Sequence, residues 1–251
     1  MIRSAGLAAA VLAASPAAAA VTVGAQIVDT RLSGTIASMP VDSAGSDALT
    51  RTGTINASAQ LVERGQGAPL LRASSTVIAE LPVAERGRVT FRRTLTPGSV
   101  AGGNDVTSSA ATYRYVFTTD TPIAFDVNWG VATFGTAAEW NMPSQMLSLA
   151  AQGSGDTLLR LHDLGNGASG LRQLTLDPGS YELRIQDAFS PVAGAGNSSG
   201  LSSQYSFAMR AVPEPASWTM LLIGFALTGA VMRRGAHRSP ARRQMKLRSR
   251  G

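Results

Sequence analysis

The fold class of this chain is decided by residues 113–129, which read YRYVFTTDTPIAFDVNW. On each side of Thr121-Pro122, large apolar side chains occupy every second position, and polar residues such as Arg114 and Asn128 stand between them. Successive side chains of a β-strand point to opposite faces, so this alternation predicts two strands that each bury one face. Half-buried strands of this kind are typical of antiparallel sheets.

The same alternation recurs through the central part of the chain. Residues 55–61, 181–185 and 205–209 each place apolar side chains at every second position. Turn residues separate the runs, as in Asp177-Pro178-Gly179, where proline and glycine favour the backbone conformations of tight turns. Strands about ten residues apart are typical of a sandwich. We therefore predict that residues 21–211 form an all-β body, an antiparallel β-sandwich or jelly-roll-like fold.

The glycine-rich residues 101–104 are either a linker between two domains or a long loop within one. The stretch before them holds roughly 80 residues of weakly apolar strand, which would make a poor independent core. One sandwich with a long loop is therefore the favoured interpretation. No helix is predicted within the body, although the pattern of residues 137–151 is ambiguous.

Residues 1–20 have the pattern of a secretory signal peptide. Arg3 supplies a positive charge, residues 5–14 are apolar, and a string of small residues ends at Ala20. The alternative, a buried alanine-rich helix, lacks polar residues that would face water. We therefore expect export through the Sec translocon, cleavage by signal peptidase and a mature chain that begins near Val21.

Residues 216–232 carry no charge and are apolar, small or hydroxylated. As a helix they would reach about 26 Å, which is the short end of what crosses a bilayer. Arg233 and Arg234 follow at once, and basic residues beside a span stay in the cytoplasm. The sequence therefore predicts one transmembrane helix over 216–232, a body in the periplasm and a basic cytoplasmic tail at 235–251. The alternative is a buried core helix, which the flanking prolines and arginines disfavour.

The positive charge of the chain belongs to its C-terminal end. Eight of the 22 basic residues lie between Arg233 and Arg250, whereas residues 21–212 hold 13 basic and 15 acidic residues, a net charge of −2. A body without a basic excess gives no support to phosphate contacts, so we expect no nucleic-acid partner. The chain has no cysteine, which excludes disulfides, thiol catalysis and cysteine zinc sites.

The segment 212–234 resembles a known sorting signal. Pro213-Glu214-Pro215, Trp218, the uncharged stretch and Arg233-Arg234 follow one another as they do in the PEP-CTERM family, in its PEPxxWA variety. The resemblance implies an exported protein of a Gram-negative organism, recognised at Pro213, Glu214 and Pro215 by exosortase, a membrane-embedded protease or transpeptidase. It also implies that the span holds the substrate in the inner membrane, that Arg233 and Arg234 fix its topology, and that exopolysaccharide is a partner.

A second, weaker resemblance concerns the body. Residues 155–161 and 174–181 are similar to the pre-peptidase C-terminal type of β-sandwich, in which comparable strand and turn sequences recur. This resemblance covers about 30 residues and implies a sandwich without naming a ligand.

No catalytic residue, cofactor or metal site is predicted in the body. His162 falls on the outward face of a predicted strand, and Asp163 beside it would point to the other face. The acidic residues Asp156, Asp163, Asp177 and Asp187 are scattered, and turn or capping roles explain most of them; no calcium-loop spacing occurs. Carboxylates that meet only in the fold are the basis of an alternative, an exported hydrolase.

Five aromatic residues form either a sugar-stacking surface or, as strand aromatics more often do, part of the core; these are Tyr113, Tyr115, Trp129, Trp140 and Tyr205. As a whole, the sequence predicts an exported cell-surface or extracellular-matrix protein that is non-catalytic, structural or associated with exopolysaccharide. Two alternatives stay open: a carboxylate-dependent hydrolase and a permanently anchored single-pass membrane protein.

Overall fold

The computed structural model describes residues 20–36, 39–64, 69–97, 105–135, 140–162, 164, 167–191, 199–212 and 215–236. These ranges hold twelve β-strands and one α-helix. The chain separates after Ala211 into a unit made of the strands and a second unit that contains the helix. The predicted signal peptide before Ala20 and the predicted tail beyond Ala236 lie outside the described residues.

The strands form two six-stranded antiparallel sheets. The first sheet has the order β2-β1-β6-β11-β8-β9 and the second has the order β10-β7-β12-β5-β4-β3. Strands of the first sheet are β1 (Val21–Ile36), β2 (Met39–Leu49), β6 (Asp105–Thr119), β8 (Trp140–Ala151), β9 (Thr157–His162) and β11 (Gly179–Pro191). Strands of the second sheet are β3 (Gly53–Arg64), β4 (Pro69–Val83), β5 (Arg86–Pro97), β7 (Ile123–Gly135), β10 (Ser169–Leu176) and β12 (Ser199–Ala211). The prediction of an all-β, antiparallel body is confirmed.

The last eight strands have the order of a jelly roll, β5-β12-β7-β10 facing β6-β11-β8-β9. Strands β1 and β2 extend one sheet beyond β6, and β3 and β4 extend the other beyond β5. Strands from both sides of the glycine-rich residues 101–104 therefore occur in both sheets. The ambiguous segment 137–151 is strand β8 from Trp140 onwards.

Aromatic side chains from both sheets meet between them. Tyr115 on β6 stacks on Phe207 of β12 with ring centroids 5.4 Å apart, and Phe117 lies 6.3 Å from Phe125 of β7. Tyr181 on β11 packs against Phe117 at 5.6 Å. All five rings are buried, as the alternating pattern of the sequence predicts.

One side of the sandwich is closed by contacts between its two edge strands. The backbone N–H groups of Asn56 and Gln60 on β3 donate to the side chains of Asp47 and Ser43 on β2, both at 3.0 Å. Between them, a Cβ added to Gly45 would lie 2.2 Å from the carbonyl oxygen of Ser58, so a side chain is sterically excluded there. These contacts occupy backbone donors that an exposed edge strand would offer to other chains.

The two ends of the sandwich differ in what they carry. Val21 pairs with Thr119 and Ala211 pairs with Ile123, so the first strand begins and the last strand finishes at the same end. At the opposite end, Ser199 pairs with Leu95 and with Gly135. The aromatic cluster lies toward the first end, and a group of buried polar residues lies toward the second.

Candidate functional site

The predicted sorting segment contains the helix α1 (Pro215–Ala236). Pro215 is its first residue, Trp218 lies in its first turn, and Arg233 and Arg234 lie in its last turn. Pro213 and Glu214, the other two residues of the predicted recognition motif, lie outside the described residues. Proline at a helix start is tolerated because the first N–H groups have no partner within the helix.

Helix α1 exposes large apolar side chains along its length. Leu222, Phe225 and Met232 are 65%, 70% and 73% exposed, and Leu227 is 63% exposed. The hydroxyl of Thr228 donates to the carbonyl of Gly224 at 2.7 Å, which satisfies a polar group within the helix itself. Over the described residues, no helix meets the length and hydropathy required to cross a membrane, so the predicted span 216–232 is not confirmed.

A buried ion pair joins the two sheets of the body. Arg93 on β5 and Asp187 on β11 are 1% and 0% exposed, and their Nη1 and Oδ1 atoms are 2.9 Å apart. Arg93 also donates to the carbonyl oxygen of Asp187, and the hydroxyl of Ser203 donates to its carboxylate. The guanidinium lies 6.0 Å from the ring centroid of Phe91. A charge so deeply buried is tolerated because its partner compensates it.

Other buried polar side chains surround this pair. Gln145 pairs directly with Asp187 across β8 and β11, and neither end of its side-chain amide has a hydrogen-bond partner among the described residues. The hydroxyl groups of Ser109 and Tyr205 are also buried without a partner in the described part of the chain. Burial raises the pKa of Tyr205, and the negative charge of Asp187 raises it further. This group of residues, the polar layer, consists of Arg93, Ser109, Gln145, Asp187, Ser203 and Tyr205.

The polar layer does not have the geometry of a hydrolytic site. Among the described carboxylates, Asp187 alone is fully buried, and it is occupied by Arg93 and Ser203. A general base needs a lone pair within reach of the proton that it abstracts. In the ranges that the structure describes, no three acidic or histidine side chains approach closely enough to hold a metal ion. The layer therefore fits a structural role between the sheets.

The polar layer was not predicted from the sequence. Turn or capping roles, which explain most of the scattered acidic residues, do not apply to Asp187, because its side chain is fully buried between the sheets. The alternation of inward and outward positions did indicate that Asp187 and Arg93 face the core. Asp187 continues the inward positions of Tyr181, Leu183 and Ile185, and Arg93 continues those of Val89 and Phe91.

Four of the five aromatic residues proposed for a stacking surface lie in the core. Tyr113, Tyr115 and Tyr205 are 1%, 0% and 0% exposed, and Trp129 is 7% exposed. Only the core interpretation holds for these four. The side chain of Trp140 lies outside the described set.

The outer face of the first sheet carries an open depression of about 230 Å³. Ala110 and Ala188 line it together with larger side chains from four strands, Thr112, Met146, His162 and Gln186. His162 is exposed on β9, as predicted, and Asp163 lies outside the described residues. Because Ala111 and Asp187 point inward, their backbone forms the floor of the depression.

The described strands form a two-sheet β body, and helix α1 follows this body along the chain. Residues 211–235 match the family model described as the PEP-CTERM protein-sorting motif. The motif implies export and processing at the membrane by an exosortase-type enzyme. The match covers the predicted recognition motif, Trp218 and the arginine pair.

Comparisons of the body with known proteins give no family. No curated protein matches the chain. Solved structures with similar strands include the enzymatically active domain of tailspike protein 4 from bacteriophage CBA120, 12% identical over 72% of this chain and 19% of that chain, with a TM-score of 0.24. The secreted serine protease VesC from Vibrio cholerae is 8% identical over 77% of this chain and 48% of that chain, with a TM-score of 0.21. This chain thus spans less than half the length of either protein, and scores this low support no argument about function. The resemblance to the pre-peptidase C-terminal type is not confirmed.

Proposed function

We propose that this chain is an exported, non-catalytic protein of the cell surface or extracellular matrix, structural or associated with exopolysaccharide. Residues 1–20 direct it across the inner membrane, and helix α1 holds it there as a single-pass intermediate with its body in the periplasm. An exosortase-type enzyme then recognises Pro213, Glu214 and Pro215 and releases the body. The match of residues 211–235 to the sorting motif carries this proposal.

The side chains of α1 support a membrane intermediate. A helix that exposes apolar residues on all sides finds no favourable surface in water, whereas a bilayer accommodates such a surface. Residues 216–232 are uncharged and the basic residues begin at Arg233, which is the arrangement that retains the C-terminal end in the cytoplasm.

The packing of the body supports a non-catalytic role. The one buried carboxylate of the described residues is neutralised by Arg93, and the described aromatic side chains of the body, residues 21–211, are buried in the core. A module of this kind contributes a folded scaffold rather than reacting groups.

Processing is tested by fractionation of the native organism followed by intact-mass measurement. We expect a surface or extracellular species that lacks residues 1–20 and everything beyond the neighbourhood of Pro215. A mature species that still contains residues 233–251 would contradict processing and would instead identify a permanently anchored protein.

The recognition motif is tested by Glu214→Gln, with Glu182→Gln on β11 as the matched control. We expect the first variant to accumulate uncleaved in the inner membrane because exosortase recognition depends on the motif. The control removes the same charge from the outer face of the body and should be processed normally. Equal processing of both variants would overturn the assigned role of Glu214.

A further inference from the structure

Four side chains cross the outer face of the first sheet in a single register line. Thr112 pairs with Gln186, Gln186 pairs with Met146, and Met146 pairs with His162. Adjacent strands lie about 4.8 Å apart, so this line is roughly 14 Å long. It presents a hydroxyl, an amide, a thioether and an imidazole to one side of the depression.

The alanine pair beside this line makes the depression. Ala110 pairs with Ala188 across β6 and β11, one outward position away from Thr112 and Gln186. The two methyl groups add apolar surface to the depression, and the longer side chains beside them supply polar groups. Sites for small ligands combine an apolar surface with a few convergent polar groups in this way.

A row of arginines borders the line on its other side. Arg114 pairs with Arg184, Arg184 pairs with Ser148, and Ser148 pairs with Arg160. Arg114 is engaged with Glu182 at 2.7 Å, and this hydrogen bond raises the pKa of its guanidinium. Arg160 and Arg184 are exposed, and neither makes an ion pair with another described residue. Across Ser148 they are about 10 Å apart.

We infer that this face, the sheet-one site, binds carboxylated sugar residues of an acidic polysaccharide. The apolar face of a sugar ring packs on Ala110, Ala188 and Met146. Its hydroxyl groups bond to Thr112, Gln186 and His162, and its carboxylate reaches Arg160 or Arg184, whose planar guanidinium groups suit that anion. The inference deepens the exopolysaccharide association in the proposed function and rests on it.

The outer face of the second sheet provides a matched control. Arg88 and Arg92 lie exposed on β5, two outward positions apart, and make no ion pair with another described residue. They carry the same charge as Arg160 and Arg184 and contact none of the residues that line the depression. Removing either pair changes the net charge of the chain by the same amount, so only binding at the sheet-one site distinguishes the two variants.

The test uses the full chain in zwitterionic detergent at 0.15 M salt, titrated calorimetrically with tetragalacturonate and with neutral maltotetraose. We expect binding of the acidic tetramer only. R160Q/R184Q should weaken binding by about ten-fold or more, because each lost charge-assisted hydrogen bond is strong. R88Q/R92Q should leave it within about two-fold. Ala188→Leu should abolish binding with every charge in place, because its side chain fills the depression.

Two results would overturn the inference: equal weakening by the two arginine pairs, which indicates nonspecific charge attraction, or equal binding of the neutral tetramer. Circular dichroism of each variant verifies the fold. Galacturonate monosaccharide is titrated in the same way, and a site for polymer residues should bind it more weakly than the tetramer. Retention on the organism's own polysaccharide is measured separately. Retention without tetragalacturonate binding would contradict the sheet-one site and leave the proposed exopolysaccharide association intact. Tetragalacturonate binding without retention would support the site and contradict the association with the organism's own polysaccharide.

Discussion

The two halves of the sandwich interior are built from different chemistry. Toward the end where the first strand begins, Tyr115, Phe117, Phe125 and Phe207 pack ring against ring. Toward the opposite end, the polar layer crosses between the sheets around the ion pair of Arg93 and Asp187. The aromatic half is stabilised by burial of apolar area, an interaction that has no directional requirement. The polar half depends on exact partners, because each uncompensated buried group costs free energy. Single substitutions should therefore change stability for different reasons in the two halves. In the aromatic half the loss follows the apolar area removed, and in the polar half it follows the loss of an ion-pair or hydrogen-bond partner.

The largest effect is expected from Asp187→Ala. It removes the partner of a guanidinium that is 1% exposed, and an uncompensated buried charge costs about 3–5 kcal/mol. Urea denaturation followed by circular dichroism measures the loss. The double variant R93M/D187L should recover most of it, since a buried ion pair replaced by apolar side chains of similar volume is often neutral. If the double variant is as unstable as the single one, the polar layer does more than compensate its own charges.

High pH should destabilise both halves of the interior, because each contains buried tyrosines. Burial raises the pKa values of Tyr113, Tyr115 and Tyr205 well above their ordinary value. A raised folded-state pKa means that the stabilisation is complete below the unfolded value of about 10 and is lost as pH rises above it. Each of the three tyrosines then lowers the free energy of unfolding by about 1.4 kcal/mol per pH unit.

Tyrosinate absorbance and circular dichroism, followed together, test this expectation. Burial raises the pKa of every tyrosine of the chain, most strongly for Tyr113, Tyr115 and Tyr205, so the tyrosinates of these three should form only as the protein unfolds. Ionisation of two or more tyrosines while the strands persist would show that at least one of Tyr113, Tyr115 and Tyr205 is open to solvent in the folded protein.

The difference between the halves also marks how far the sequence predicts the structure. Alternation assigned the strands and the inward faces correctly, because burial of apolar side chains decides both. It could not pair the strands, since jelly-roll pairing joins segments far apart in the chain, as Arg93 and Asp187 are. It also did not single out Asp187 as a buried residue, because a carboxylate more often caps a turn than enters a core.

At the sorting segment, the sequence alone was sufficient to predict the features that the family model matches. The order of Pro213 to Pro215, the uncharged stretch and Arg233 is linear, so no folding step is needed to recognise it. The sheet-one site, in contrast, could not be predicted from the linear sequence. Thr112, Met146, His162 and Gln186 lie on four different strands, and only the register of those strands brings them into line.

A smaller effect, of opposite sign, is expected at Gln145. Its amide is 0% exposed and has no partner among the described residues, and a buried unsatisfied polar group costs about 1–3 kcal/mol. Gln145→Leu should therefore raise the midpoint of urea denaturation. Leu147→Gln, two residues along the same strand and equally buried, is the reverse substitution and should lower it. A loss of stability in Gln145→Leu would indicate that buried water bonds to the amide.

The smallest expected effect comes from removing one tyrosine hydroxyl from each half of the interior. The hydroxyl of Tyr115 donates to the carbonyl of Ala84 at 2.8 Å, whereas that of Tyr205 is buried without a partner among the described residues. Tyr115→Phe should cost about 1 kcal/mol, because it leaves a carbonyl without its donor. Tyr205→Phe should be neutral or slightly stabilising, since it removes a polar atom that gains nothing from burial. Both changes delete a single oxygen from a fully buried ring, so their difference in the free energy of unfolding isolates the hydrogen bond. Equal costs would mean that Tyr205 is bonded, and that the polar layer is better satisfied than its described partners indicate.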